Sequence, residues 1–309
     1  MALDSFMRDM VLTVAENSAV RSFFEKYGMR FGVSRFVPAE ELEGALDTVK
    51  RLNEQGLMAT LDYLGESVTE KTWAEESADQ AILTLRRIRE RGANANVSVK
   101  LTQLGLNIEQ EFCETQMARI LTEAERTDNF VRIDMEDSKV TQATVDLFIK
   151  LLGRFGPNRV GLVIQSYLYR SAEDRDRLGA LGANLRIVKG AYKEAKEVAY
   201  PDKKDVDDNY VALVKRHLLQ GAYTAVATHD ERIIAAVIRF VNENNIPSDR
   251  FEFQMLYGIG MSLQKRLADE GFRVRVYTPY GKHWYPFYTR RIAERPANLW
   301  FALRGALRF

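Results

Sequence analysis

The sequence predicts an α/β fold, a closed (β/α)8 or TIM barrel with extra helices at its N-terminal side. Three observations lead there. From Met58 onward, eight short β-type runs alternate with longer helical patterns. The runs start every 22–40 residues, the spacing of a strand, a crossover helix and two short loops. Residues 58–309 supply 252 positions, and a barrel of this kind needs about 250.

The first run, 58–64 (MATLDYL), is followed by 95–102 (ANVSVKLT), 129–136 (NFVRIDME) and 159–166 (RVGLVIQS). The second half continues with 184–191 (NLRIVKGA), 224–230 (TAVATHD), 251–256 (FEFQML) and 273–279 (RVRVYTP). Between them, segments such as ADQAILTLRRIRERG and VDDNYVALVKRHLLQGA carry apolar residues at helical spacing and charges on the outer face. A doubly wound dinucleotide-binding sheet would show G-x-G-x-x-G after its first strand. The nearest approach, Gly258-Ile259-Gly260-Met261, lacks the third glycine and follows the seventh run. No P-loop motif is present either.

Residues 1–57 fall outside this repeat and are expected to form an N-terminal helical arm, with residues 58–309 as the catalytic barrel domain. The arm holds two or three helical patterns: SFMRDMVLTVAE, VRSFFEKYGMRFG and AEELEGALDTVKRLNEQG, the last leading into the barrel. Self-association, a weak peripheral membrane contact and plain packing remain open for the first two.

Composition narrows the function classes. With 46% hydrophobic and 28% charged residues, the 309-residue chain has the profile of a soluble globular protein. A net charge of +1 leaves no electrostatic footprint for nucleic acid, and no nucleic-acid partner is expected. A single cysteine, Cys113, excludes an intrachain disulfide and a two-thiolate metal site. With three histidines, His217, His229 and His283, and the first of them on a helical pattern, no metal site is expected. No apolar run approaches the ~20 residues of a membrane helix. The first twenty residues lack the cationic start and cleavage site of a signal peptide, so a cytoplasmic protein is expected. A peripheral place at the inner face of the membrane stays open through the arm.

The informative residues interrupt the β runs. Buried parallel strands should read almost continuously apolar, yet this chain places Asp62 and Glu66 at or after the first run, Lys100 in the second and Asp134 in the third. Gln165 ends the fourth, Arg186 and Lys189 belong to the fifth, and Thr228 and His229 to the sixth. Glu252 and Gln254 lie in the seventh and Tyr277 in the eighth. Any one of these reads equally as a solvated rim residue, a structural ion pair or a packed histidine. Together they deliver polar groups to one rim, where a barrel keeps its active site. After the eighth run, residues 281–294 (GKHWYPFYTRRIAE) set Arg290 and Arg291 on an aromatic-rich helix. Such a pair suits a carboxylate or phosphate clamp. A solvated helix turn with Glu294 pairing Arg290 is the alternative.

These residues resemble the proline dehydrogenase family. The segments that carry the likeness are Val99-Lys100-Leu101, Arg132 to Glu136, Ile164 to Tyr167 and Arg186 to Tyr192. Ala227 to His229, Phe251 to Leu256 and Arg290-Arg291-x-x-Glu294 complete it, in family order over roughly residues 60–300. R-x-V-K-G-A-Y and R-R-x-x-E are its specific motifs, and the length resembles the short monofunctional bacterial members. The resemblance implies a distorted (β/α)8 barrel that binds FAD non-covalently. It implies oxidation of L-proline to Δ1-pyrroline-5-carboxylate by hydride transfer to the flavin, with electrons passed on to a quinone, as the first step of proline catabolism. Asp134, Arg186 and Tyr277 match catalytic positions, and Lys100, Arg290 and Arg291 match the grip on the proline carboxylate. Met135, Gln165, Arg186, Lys189, Gly190, Ala191, Thr228 and His229 match cofactor contacts. Asp62, Glu66 and Glu294 are expected to back or gate the site, Glu66 by pairing with Arg290. Two departures stand out. Phe287 occupies a position where the family has tyrosine, so Tyr285, Phe287 and Tyr288 all remain candidates for the substrate contact. Lys193 replaces a tryptophan that long members hold near the adenine.

The chemistry of the residues agrees with the resemblance. Hydride loss from an amino acid needs a cofactor as electron sink, because no side chain accepts hydride. A competing reading is a Schiff-base aldolase with Lys100 as nucleophile and Asp134 as its acid–base partner. It leaves the K-G-A-Y segment and the paired arginines without a role. A barrel serving only as a binding scaffold would require the rim charges to pair among themselves.

Overall fold

The computed structural model describes residues 32–65 and 67–294, of which 293 and 294 are described by backbone alone. Eight parallel strands, β1 to β8, close on one another: Met58–Tyr63, Ala95–Lys100, Val131–Asp134, Val160–Gln165, Asn184–Val188, Thr224–Ala227, Phe251–Leu256 and Val274–Tyr280. Each run expected from the sequence contains or overlaps its strand. Closure comes from β1 pairing with β8 in parallel, Met58 opposite Arg275 through Tyr63 opposite Tyr280.

Helix α1, Leu42–Asn53, precedes β1. Helices α2 (Lys71–Glu90), α3 (Gln110–Arg126), α4 (Ser138–Phe155) and α5 (Ser171–Ala180) follow β1 to β4 in turn. Helices α6 (Lys203–Leu219), α7 (Glu231–Glu243), α8 (Met261–Asp269) and α9 (Tyr285–Glu294) follow β5 to β8. The third helical pattern of the arm is thus α1, and the first two lie outside the described residues. Among the described residues no helix is long and apolar enough to cross a membrane.

The main core lies between strands and helices. Outward positions such as Leu61, Val97, Val99, Ile133, Leu185 and Val276 are buried against apolar faces that include Leu85, Met117, Phe148 and Leu213. The inward positions alternate with them, as the strand period of two requires, and here they are polar. Thr60 and Asp62, Asn96, Ser98 and Lys100, Arg132 and Asp134, Arg186, Glu252 and Gln254 all fall in this set, and all but Asp134 are buried. This interior explains why the strands do not read as continuous apolar runs.

The interior has two levels. At the floor, Glu252 accepts from Arg275 at 2.8 Å and from the Tyr223 hydroxyl at 2.8 Å, and Arg275 also donates to the Ala59 carbonyl at 2.9 Å. Glu252, which the sequence grouped with the rim residues, therefore sits low in the barrel. It is the second residue of its strand, and the C-terminal strand ends form the mouth. Beside it, Arg132 donates to the Leu162 carbonyl at 3.1 Å and to the Asn184 carbonyl and side chain at 2.7 and 2.5 Å. Gly161 on β4 makes this possible: a Cβ there would meet the Arg132 guanidinium, the Asn184 carbonyl and the Phe130 ring.

A second apolar cluster lies at the mouth. Val33, Phe36 and Val37 pack with Trp284, Phe287, Tyr288 and Ile292. The Trp284 indole donates to Glu40 at 3.0 Å, and the Gly281 N–H donates to the Ala39 carbonyl at 3.2 Å. The segment before α1 thereby seats α9 across the barrel mouth.

His217 on α6 is fully buried. Burial first, and the neighbouring Arg175 guanidinium second, hold its imidazole neutral with a pKa of about 4. That value lies below the ordinary ~6.5, so the neutral ring's contribution to stability is complete above pH 6.5 and is lost as pH falls toward 4. Unfolding free energies from denaturant titrations between pH 7 and 4.5 are expected to fall, by at most ~1.4 kcal/mol per pH unit from this group. A His217→Gln variant should show a shallower decline. An unchanged slope in that variant would assign the acid sensitivity elsewhere.

Candidate active site

The C-terminal ends of the strands enclose a cavity of about 480 Å3 that opens to solvent. This is the size of a small-molecule or cofactor site. Strand polarity places it: β2, β3, β4 and β5 bring Lys100, Asp134, Gln165 and Arg186 to its wall, and β8 brings Tyr277.

One wall is a continuous chain of polar contacts. The Lys100 ammonium meets both oxygens of Asp62, at 3.0 and 2.9 Å, and both side chains are buried. The Tyr277 hydroxyl lies 2.6 Å from Asp62 Oδ2 and 2.7 Å from Asp134 Oδ2. Asp134 Oδ1 accepts from Ser98 Oγ and from Arg186 Nη1, each at 2.7 Å. Burial, and then the Asp134 charge working with it, push the Asp62 carboxyl above its ordinary value against the pull of Lys100. Burial and the two carboxylates raise Tyr277 well above the ordinary phenol value, so its hydroxyl stays protonated and donates. The Arg186 guanidinium sits 5.3 Å from the centre of the Tyr277 ring.

The opposite wall is built by loops. Gln165 Nε2 donates to the Glu136 carbonyl at 2.7 Å, which fixes the orientation of its amide. Lys189 pairs with Asp207 at 2.5 Å and Asp230 at 3.4 Å. Asp230 also caps α7 by accepting from the Arg232 N–H at 3.1 Å. Although burial alone would raise its carboxyl, Arg232 and Lys189 bring it down to about 2. The His229 Nε2 accepts from the Leu256 N–H at 3.0 Å, so its ring carries the proton on Nδ1 when neutral. Gly190 has φ +116°, and a Cβ there would strike the Tyr167 ring; only glycine lets this loop lie on that face. Met135, Ala191 and Thr228 complete the lining on this side.

Helix α9 forms the roof. Phe287, Arg290 and Arg291 line the cavity. The Arg291 guanidinium sits 5.1 Å from the Phe287 ring centre, and that of Arg290 sits 5.9 Å from the Tyr192 ring centre. Of the three aromatic candidates, Phe287 is the cavity-lining one, while Tyr285 and Tyr288 are buried in the apolar cluster.

The residues singled out from the sequence at β2 to β6, β8 and α9, together with Gln254 of β7, thus surround one cavity. Asp62 stands behind the wall, holding Lys100. Glu66 and the side chain of Glu294 lie outside the described residues, and with them the expected pairing of Glu66 with Arg290. Lys193 is exposed and does not line the cavity. Tyr192, Asp230 and Lys203 line it without having been singled out. Tyr192 stood inside the quoted K-G-A-Y motif and Asp230 directly followed Thr228-His229, which were the available signals.

A closed parallel barrel with a charged cavity at the C-terminal ends of its strands is the architecture of a (β/α)8 enzyme. The profile of the proline dehydrogenase family matches residues 45–303. Proline dehydrogenase 1 of Bacillus subtilis (strain 168) is 45% identical over 302 residues, covering 98% of this chain and 99% of that protein. The proline dehydrogenase of Deinococcus radiodurans is 45% identical over 309 residues, covering 99% of each. The crystal structure of proline utilization A from Bdellovibrio bacteriovorus superposes with a TM-score of 0.82 at 24% identity, covering 93% of this chain and 36% of that one, a likeness of fold. The chain belongs to the proline dehydrogenase family, and its barrel is that of an oxidoreductase of proline catabolism.

Proposed function

We propose that the protein oxidises L-proline to Δ1-pyrroline-5-carboxylate with FAD held non-covalently in the barrel-mouth cavity, and that a quinone takes the electrons. The observation that carries this is Arg186. It is buried at the cavity wall, spends Nη1 on Asp134, and leaves Nε and Nη2 without a hydrogen-bond partner among the described residues. Buried donors without partners cost ~1–3 kcal/mol each, so they suit a ligand edge rich in acceptors, as the pyrimidine side of a flavin is. When bound, FAD supplies the two-electron acceptor that no side chain provides. The quinone rests on the family resemblance alone.

In this reading Lys100, Arg290 and Arg291 bind the proline carboxylate, and the ring lies against Tyr277. A grip on the carboxylate fixes the ring in register, which lowers the entropic cost of the chemical step. The proline ammonium must lose a proton before its neighbouring carbon gives up hydride, and Asp134 and Tyr277 supply electrostatic help to that step from the cavity wall. Arg186 would set a fixed positive charge beside the electron acceptor. Gln165, Lys189, Thr228 and His229, with Met135, Gly190 and Ala191, hold the cofactor. The catalytic unit is the barrel of residues 58–309, with residues 1–57 as an arm. The aldolase alternative needs Lys100 as a neutral amine, whereas two Asp62 oxygens at 3.0 and 2.9 Å favour the ammonium.

The decisive experiment is the visible spectrum of the purified protein before and after anaerobic addition of L-proline. Flavin bands that bleach on addition are expected. A colourless protein, or bands that ignore proline, would overturn the reading. Arg186→Ala should lose flavin or show a sharply lower kcat while proline binding changes less. Normal flavin content together with normal kcat would refute its role.

A further inference from the structure

The loop between β5 and α6 carries Gly190, Ala191 and Tyr192 into the cavity wall, and its ends rest on the chain leaving β4. The Tyr167 N–H donates to the Lys189 carbonyl at 2.9 Å, the Tyr200 N–H to the Tyr167 carbonyl at 2.8 Å, and the Tyr169 N–H to the Val198 carbonyl at 3.1 Å. The middle of the loop is tied elsewhere. Glu194 Oε1 accepts from the Ser138 backbone N–H at 2.7 Å, and Oε2 accepts from Ser138 Oγ at 2.5 Å. The Tyr167 hydroxyl approaches Oε1 at 3.5 Å. Ser138 is the first residue of α4, immediately after the segment that carries Asp134 and Met135. Glu194 thus satisfies an N–H that the helix leaves open and joins two loops that both line the cavity.

We propose that Glu194 is a positioning residue: its tie to Ser138 sets the place of Gly190 and Ala191 against the cofactor and of Tyr192 beneath Arg290. The proposal rests on the flavin reading of the cavity. It follows from reach, because Glu194 lies two residues beyond Tyr192 and four beyond Gly190, so release of its carboxylate frees the wall and not the loop ends. Two properties should respond together, flavin affinity through Gly190 and Ala191 and the proline KM through Tyr192 and Arg290. The chemical step, run by groups on β2, β3, β5 and β8, should not.

The test is fluorescence titration of the apoprotein with FAD, alongside steady-state kinetics at saturating flavin. Glu194→Ala removes charge-assisted hydrogen bonds and should raise the flavin Kd about ten- to a hundredfold. It should also raise the proline KM severalfold, with kcat held within about twofold. Glu194→Gln keeps an acceptor for the Ser138 N–H and should recover most of both losses. Ser138→Ala should weaken flavin binding mildly, and adding it to Glu194→Ala should cost nothing more. Additive effects of the two substitutions, wild-type Kd and KM in Glu194→Ala, or a fall in kcat with both intact would each overturn the proposal. Should Glu194→Ala fail to fold, Ser138→Ala and Glu194→Gln carry the same readouts. A wild-type protein that binds no FAD would overturn the reading of the cavity, whereas a flavin-binding wild type with an indifferent Glu194 overturns the tie alone.

Discussion

Arg291→Met is expected to lower kcat/KM for L-proline roughly ten- to several-hundredfold while flavin content and thermal midpoint stay close to wild type. The guanidinium lines the cavity from α9 and lies 5.1 Å from the Phe287 ring centre. Methionine retains much of the apolar stem and the helix propensity, so the substitution removes chiefly the planar donor fork. One charge-assisted hydrogen bond to a carboxylate is worth ~1.5–3 kcal/mol, which sets the size of the loss. Part of that loss should appear in kcat, because a carboxylate held at fewer points leaves the ring out of register. Kinetics with L-proline and the flavin-to-protein absorbance ratio distinguish the outcomes. Wild-type turnover, or simple loss of flavin, would remove Arg291 from the carboxylate grip.

Glu252→Ala is expected to destabilise the fold by ~3–5 kcal/mol, because it strands a buried arginine. Burial works to raise the Glu252 carboxyl, but Arg275 outweighs it and brings the group down to about 2. The folded value therefore lies below the ordinary ~4.3, and the pair's contribution is lost as pH falls from there toward 2. Arg275→Met on the Glu252→Ala background should regain a large part of the loss, since replacing both charges by apolar groups is often nearly neutral. Urea unfolding of the single and double variants checks both statements. A single-variant loss under ~1 kcal/mol would mean that water reaches the barrel floor.

The eight strands were legible because their outward positions are apolar and turn residues separate them. Lys100, Asp134, Gln165 and Arg186 were legible for the complementary reason: each is a polar side chain inside such a run. What the pattern could not supply is height. Period-two alternation puts Glu252 and Lys100 alike inside the barrel, yet one is second in its strand and the other last. The difference between floor and mouth depends on registers such as Glu252 opposite Ala225 and Lys100 opposite Asp134. The contacts of Tyr192 and Glu194 were illegible for another reason. Their places are set by ties to Tyr167, Ser138 and Arg290, residues 27 to 98 positions away, which no local period encodes.

Gly161 and Arg132 also constrain the order in which this barrel can change. The guanidinium shares with the Asn184 carbonyl and the Phe130 ring the room that a side chain at 161 would take, so even alanine at 161 is blocked with or without the arginine. Loss of the arginine leaves those two obstacles in place and removes the partner of both the Asn184 carbonyl and its side chain. Glycine must therefore persist whatever happens to the arginine, and the arginine can leave only after Asn184 has been relieved. In a lineage or a mutational library the glycine should be the last of these positions to vary, long after the surrounding helices have diverged.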